Sequence, residues 1–212
     1  MLSPLSGKFP NSKDLPETFR LQFLHSPEYE YDILVEGELE EVWFRPIWLA
    51  PLFKFLEMIG ILIAERSHNI KTTLRVVAKY DDSGLPYQLW YRRFFGAKPK
   101  KFDVKVIYDP KTKKVIDLVG PFGFLALAWD PNFISPDTLT LDVTDAGLKF
   151  GKNILWLPSW FWPYLLGKES FTQKIESEAD NLISINLKIR HPIFGLVFGY
   201  SGKFKVGKTE HI

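Results

Sequence analysis

Residues 47–65 read IWLAPLFKFLEMIGILIAE, and the reading of this stretch decides the fold. Pro51 stands one turn in, and leucine, isoleucine and phenylalanine fill most later positions. Within it Lys54 and Glu57 break the apolar surface on one narrow stripe. A helix apolar almost all round has to be enclosed, by protein or by lipid. The apolar run is about 17 residues and carries two charges, short of the roughly 20 clean residues of a membrane span. Burial in protein is the expectation, with Leu52, Phe55, Leu56, Ile59 and Leu62 all packed against the enclosing structure.

The flanking sequence supplies the enclosure. Ahead of the helix, residues 31–43 are extended, with Tyr31, Ile33, Val35, Gly37 and Leu39 on one side. Glu36, Glu38, Glu40 and Glu41 fall mostly on the other. Earlier still, Asp14 is placed to cap a short helix that shows Phe19, Phe23 and Leu24 on one face and ends near residues 25–27. After the helix the period changes to two. Leu74, Val76, Ala78 and Tyr80 alternate with Thr73, Arg75, Val77 and Lys79, and Phe102, Val104, Val106 and Tyr108 alternate with Lys101, Asp103 and Lys105. Residues 81–84, Asp-Asp-Ser-Gly, turn the chain so that 87–95 returns antiparallel. Further strands are expected at 114–119, 124–129, 138–143, 148–150, 170–178, 182–190 and 194–206, with a turn at 145–147 and a weak point at 130–136.

About ten strands joined by short polar turns, with no βαβ alternation, form an antiparallel sheet, and one this long curls or closes. The expected fold is α+β and mainly antiparallel β. It is a strongly curved sheet or open β-barrel gripping one apolar helix, with a short N-terminal helix added. Residues 1–14 read as a flexible arm, 15–206 as a single domain and 207–212 as a tail.

With 27 basic and 25 acidic residues the net charge is +2, too small a field to favour nucleic acid. Cysteine is absent, which excludes disulfides, thiol catalysis and thiolate metal sites. No basic segment followed by an apolar run opens the chain, so an intracellular, cytoplasmic location is expected, with membrane association as a variant.

No chemistry-bearing motif stands out. His25, His68, His191 and His211 have no metal-ligand spacing, and no metal or cofactor is expected. His191, between Arg190 and Pro192, reads as a turn residue bonded to a nearby carbonyl, or else as a proton carrier. No GxSxG elbow occurs, and no catalytic residue is assigned. Among the acids Glu169, Glu176, Glu178 and Asp180, Glu176 and Glu178 share what reads as a solvent face. In Trp90-Tyr91-Arg92-Arg93 the two arginines point to opposite faces of a strand. Arg93, inward with Leu89 and Tyr91, would meet a carboxylate or phosphate head group, or an internal partner such as Glu57. Residues 154–166, ILWLPSWFWPYLL, hold Trp156, Trp160, Phe161, Trp162 and Tyr164 and read as a plug, a lid or an interfacial anchor. The candidate ligand-binding residues are therefore Glu57, Tyr91, Arg93, Trp160, Trp162 and His191.

Several segments carry a family resemblance: Leu15-Pro16, Phe19-Arg20 and His25; Val35-Glu36-Gly37; WYRRFFG at 90–96; GPF at 120–122; and HPIFGLVFGYSG at 191–202. Together they make residues 15–206 similar to the bacterial domain of unknown function DUF 4166. Gly199 stands where that family's pattern carries an arginine. Members often follow a dinucleotide-binding oxidoreductase domain, so the resemblance implies a dinucleotide-dependent oxidoreductase as a partner. No GxGxxG occurs in this chain.

The functional expectation is a non-catalytic binder of a small apolar or amphipathic, lipid-like molecule, held between curved sheet and central helix. Its rivals are an enzyme or accessory domain acting on a similar ligand, and a peripheral membrane protein anchored by the tryptophan-rich segment.

Overall fold

Period-two alternation carries the described residues through eleven strands. The computed structural model describes Ser3, Leu5, residues 15–63 and residues 66–211. The strands are β1 (Tyr31–Phe44), β2 (Ser67–Tyr80), β3 (Pro86–Phe94), β4 (Lys100–Asp109), β5 (Lys114–Val119), β6 (Leu125–Ser135), β7 (Thr138–Phe150), β8 (Asn153–Trp156), β9 (Lys168–Ser177), β10 (Leu182–His191) and β11 (Gly195–Glu210). Three short α-helices accompany them: α1 (Glu17–Phe23), α2 (Ala50–Met58) and α3 (Trp162–Leu166).

Every pairing is antiparallel, in the order β6-β5-β4-β3-β2-β1-β11-β10-β9-β7-β8, and β6 also pairs with β7. That last pairing shuts the sheet into a ten-stranded barrel, with β8 added outside on β7. The barrel is closed, where the alternation alone left it curved or open. Closure removes the sheet edges that would otherwise attract another chain.

Most inward positions are apolar, including Val35, Val76, Val104, Leu125, Leu139 and Phe198. The outer wall is charged. Glu36 stands opposite Lys205 and Glu38 opposite Lys203 across β1 and β11. Where these two strands coil most tightly, a Cβ on Gly37 would run into the Lys203 carbonyl and one on Gly202 into that of Glu38. A bulge between Leu39 and Glu41 adds to the bend. Outside the wall, Ile116, Leu118, Ala126 and Ala128 form a second small cluster beneath Ile154 and Trp156.

α1 closes one end of the barrel. Phe19 and Phe23 are fully buried, with ring centroids 5.8 Å from Phe133 and 5.9 Å from Trp90. Most buried polar groups there are paired: the Gln88 amide donates to the His25 carbonyl at 3.1 Å, and Trp90 Nε1 donates to Gln88 Oε1 at 2.9 Å, whereas His25 Nδ1 and Gln173 Oε1 have no partner among the described residues. Burial lowers the pKa of His25 to about 4, so its ring is neutral near pH 7.

The opposite end is the mouth, and here the central helix departs from expectation. It is α2, preceded by a 3-10 turn at Ile47–Leu49 and stopped near Gly60, which has positive φ. Only Phe53 is buried; Leu52 and Phe55 are 46% and 52% exposed, and Leu56, Ile59 and Leu62 are half-buried. The sheet does not grip the helix because the side chains of ten strands leave inside the ring a cavity of only about 140 Å³, too small for a helix. α2 lies over the mouth instead, with Phe53 wedged 5.2 Å from Phe44 and 6.1 Å from Phe198.

Other expectations shift with it. β6 runs unbroken through the supposed weak point at 130–136 as far as Ser135, and β7 runs through the turn expected at 145–147. β11 continues past 206 to Glu210, pairing with Tyr31 of β1. The Asp14 cap and the Glu65 end of the central stretch lie outside the described residues. Of residues 1–14, read as a loose arm, Ser3 and Leu5 are described and both are buried.

Substitution of α2 should therefore split by position. Phe53→Ala is expected to cost about 3 kcal/mol, the low end for a buried aromatic at a rim. Leu52→Ala and Phe55→Ala should each stay within about 0.5 kcal/mol. Denaturant melts of the three variants check this; equal losses at all three would contradict the placement of the helix.

Candidate functional site

A cavity of about 140 Å³ opens between the α1 floor and the mouth. Leu56, Leu62 and Ile63 line it from the segment around α2, and Trp162 and Leu166 from α3. Most of its wall is apolar, but four strands aim a polar side chain into it: Arg92 from β3, Asp117 from β5, Glu169 from β9 and Tyr200 from β11.

The register explains their convergence. Arg92 faces Leu74 and Phe102, Asp117 faces Leu127, Glu169 faces Ile189, and Tyr200 faces Leu187 and Val42, all inward positions. The guanidinium of Arg92 lies over the rings of Trp90 and Phe102, 5.2 and 5.1 Å from their centroids. Such contacts hold a cation without satisfying its N–H groups. Among the described residues, Arg92 has no ion pair or side-chain hydrogen bond, and the heads of Glu169 and Tyr200 have no hydrogen-bond partner. Asp117 accepts from Trp129 Nε1 at 2.8 Å.

The titration of the cluster follows from its enclosure. Burial raises the pKa of Asp117 from 3.8 to about 6, against the opposing pull of Trp129 and Arg92. Burial, helped by the Asp117 charge, raises Glu169 from 4.5 to about 7, and Arg92 opposes this too. Tyr200 is pushed up to about 12, chiefly by burial. All four line the cavity, so the partial exposure they retain is to that space. Near pH 7 the site thus holds one fixed cation, one ionised carboxylate, one carboxyl close to half-protonated and one phenol.

The residues singled out in the sequence lie elsewhere, with one exception. Arg93 points outward, where it pairs with Asp103 and lies over Tyr91, itself on the outer wall. The parity of β3 is the reverse of the expected one: Gln88, Trp90, Arg92 and Phe94 face in. Glu57 sits on α2, bonded to Lys100 at 2.6 Å and facing Lys54 at 3.8 Å. His191 is the last residue of β10, paired with Gly195 just ahead of the turn at 192–194. Its Nε2 lies 3.0 Å from the Tyr164 carbonyl, and its Nδ1 accepts from the Ile193 amide at 3.1 Å. With Nδ1 accepting, Nε2 carries the proton and donates. Trp160 is 72% exposed, whereas Trp162 is buried and lines the cavity, its Nε1 without a partner. Glu176 and Glu178 are exposed, as their alternation implied. Among the described residues no cluster of histidine and acid groups could hold a metal ion.

Glu169 and Asp117 hold their protons more tightly in the folded chain than in the unfolded one. Their burial therefore costs nothing below the unfolded pKa values, and stability falls as pH rises through about 6 and 7. Glu169→Gln should flatten that fall. From pH ~5 to ~8 the parent protein should lose on the order of 1–3 kcal/mol more than the variant, reduced because the carboxyl borders the cavity. Paired denaturant melts across this range measure the difference, and parallel curves would mean that Glu169 titrates normally.

Comparison with known proteins gives a family and two likenesses. The chain is 23% identical over 177 residues to the uncharacterized protein YndH of Bacillus subtilis strain 168, spanning 82% of this chain and 83% of that one. A crystal structure of a candidate thioesterase II from Thermobifida fusca YX is 9% identical and covers 88% of this chain and 82% of its own. Its TM-score of 0.26 is too low to bear on fold or function. Residues 15–204 match the family described as Domain of unknown function (DUF4166), and the chain belongs to that family.

Proposed function

We propose that this barrel binds a small amphipathic molecule, a carboxylic acid with a short apolar tail, inside its cavity. The observation that carries the reading is Arg92: a guanidinium inside an apolar barrel, held over two rings, with its N–H groups unused among the described residues. A charge in such a place is costly until an acceptor meets it. A ligand carboxylate supplies that acceptor, and the planar fork of arginine suits it. The protonated form of Glu169 and the hydroxyl of Tyr200 offer donors to the same head, and the apolar wall between cluster and mouth takes the tail. The scale of the cavity, close to the ~150 Å³ that admits benzene elsewhere, favours a short tail over a full lipid chain.

A second reading rests on Glu169. A carboxyl titrating at about 7 beside a second acid and an arginine has the properties of a general acid or base, so the same cavity could move a proton on its ligand. The chemical fate of the bound molecule separates the two readings.

Native mass spectrometry of the purified protein, followed by titration with octanoic acid, tests the proposal. A carboxylate bound to Glu169 in its protonated form binds more tightly at pH ~6 than at pH ~8, because binding retains that proton. Arg92→Met and, with the fold intact, Tyr200→Phe should each weaken binding at least tenfold, since loss of a hydrogen bond to a charged group costs about 1.5–3 kcal/mol. Absence of a copurifying ligand together with no octanoate binding at either pH overturns the reading. Recovery of a changed acid moves the assignment to the enzyme.

A further inference from the structure

The two ends of the barrel carry opposite kinds of surface. At the α1 end the connections are mostly polar: Asp81-Asp82-Ser83-Gly84 between β2 and β3, Pro110–Lys113 between β4 and β5, and Glu178-Ala179-Asp180-Asn181 between β9 and β10. Among the described residues, the large apolar side chains exposed there are Leu85 beside the first of these and Tyr80 and Ile134 at strand ends. At the mouth every connection exposes a large aromatic: Trp48 between β1 and β2, Phe95 after β3, Phe122 after β5, Phe150 at the end of β7, Trp160 before α3, and Phe194 before β11. Contacts join these connections into one rim. Trp48 lies 5.0 Å from Phe194, which stacks 4.6 Å from His191, whose ring nitrogen meets the Tyr164 carbonyl. Lys100 ties the β3–β4 connection to Glu57 of α2.

Two features give this rim a direction. Phe122 is fully exposed at a loop tip with φ of 56°, a left-handed backbone that a bulky side chain adopts at a cost, and the loop holds the ring out into the surroundings. Exposed cations surround the aromatics: Arg45, Arg66, Lys98, Lys152, Lys168 and Arg190. Among the described residues of the mouth connections the acid is Glu57, already bonded to lysines. Exposed aromatics ringed by cations match the interface of an anionic bilayer, where Trp and Tyr sit at headgroup level and each nearby cation adds about fivefold to binding. The charged outer wall and the absence, among described residues, of a helix long and apolar enough to cross a membrane fit docking end-on.

We infer that the mouth of the barrel docks on an anionic lipid surface, with Trp48, Phe122 and Trp160 entering the interface and the basic residues facing the headgroups. This contact is separate from whatever the cavity holds, and its test does not depend on the cavity ligand.

Cosedimentation of the full chain with vesicles of phosphatidylcholine, alone or with phosphatidylglycerol, is the experiment. Binding to the phosphatidylglycerol vesicles, weakening as salt rises and at least tenfold stronger than to phosphatidylcholine alone, is expected. Phe122→Asn suits the left-handed backbone, so the double variant with Trp160→Ser should fold and melt like the parent while losing binding at least tenfold. Leu85→Ser, at the other end, should bind as the parent does. Failure to bind either vesicle overturns the inference, as does equal binding by the double variant. A dimer seen by light scattering that the double variant dissolves also overturns it, because the rim would then be a protein interface.

Discussion

The pairing of β6 with β7 is the contact on which the rest of the molecule depends. β7 is the seam: its whole length pairs with β6, its first residues also pair with β9, and its last residues pair with β8 on the outside. Without the β6–β7 ladder, two edges would stand open and the inward side chains would face water. With it, the backbone groups of ten strands are satisfied by neighbours, and the interior becomes a volume set by strand number and tilt. Bulges at Thr144 of β7, opposite Ala128 and Trp129, and at Ile134 of β6 give this pair the bend that the closure needs. Closure also fixes where the helices go, since a ring with room inside only for a small cavity leaves them its two ends.

Once the ring is closed, each inward polar residue has to be accounted for. At the floor the account nearly closes: Gln88, Trp90, Gln22 and the Gln173 amide bond one another or the backbone of α1 and its C-terminal extension, while Gln173 Oε1 and His25 Nδ1 stay without a partner among the described residues. Toward the mouth it does not. Arg92, Glu169 and Tyr200 retain unused capacity where water or a ligand can reach them. The same low-polarity wall that makes Arg92 costly drives Asp117 and Glu169 toward their protonated forms, which limits the net charge inside. An interior chosen for stability alone would replace all four by apolar residues. Their convergence on one cavity is the observation on which the proposed binding role rests.

How much of this could be read from the sequence depends on the strand. β1 and β4 have one apolar and one polar face, and their inward residues were legible. β3 has an aromatic or charged residue at nearly every position, so its parity was undetermined, and Arg92 and Arg93 exchanged roles. In β5, KVIDLV is apolar on both faces because β8 covers the outside, and the inward aim of Asp117 was hidden by that cover. Glu169 was visible as an acid, but its partners are 52 and 77 residues away along the chain, a distance that no local pattern spans. A lone acid in an apolar hexamer was the one local sign of the cluster.

The central stretch was misread for a physical reason as well. An apolar helix must be enclosed by something, and the enclosure was assigned to the sheet because the sheet was the only apolar surface in view. The closed barrel has no such surface to spare. Phe53 satisfies the requirement on one side of α2; Leu52, Phe55 and Met58 leave it unmet on the other. The same imbalance appears at α3, where Trp162 is buried and Trp160, Tyr164 and Leu165 are exposed. Two short helices from distant parts of the chain thus each divide their apolar surface between the barrel and the outside, at the same end. Selection for folding alone would trim such residues to polar ones, because an exposed apolar patch of this kind invites aggregation. The outer half of this stretch therefore keeps a need for enclosure that the barrel does not meet, and the proposed docking of the mouth rests on that need.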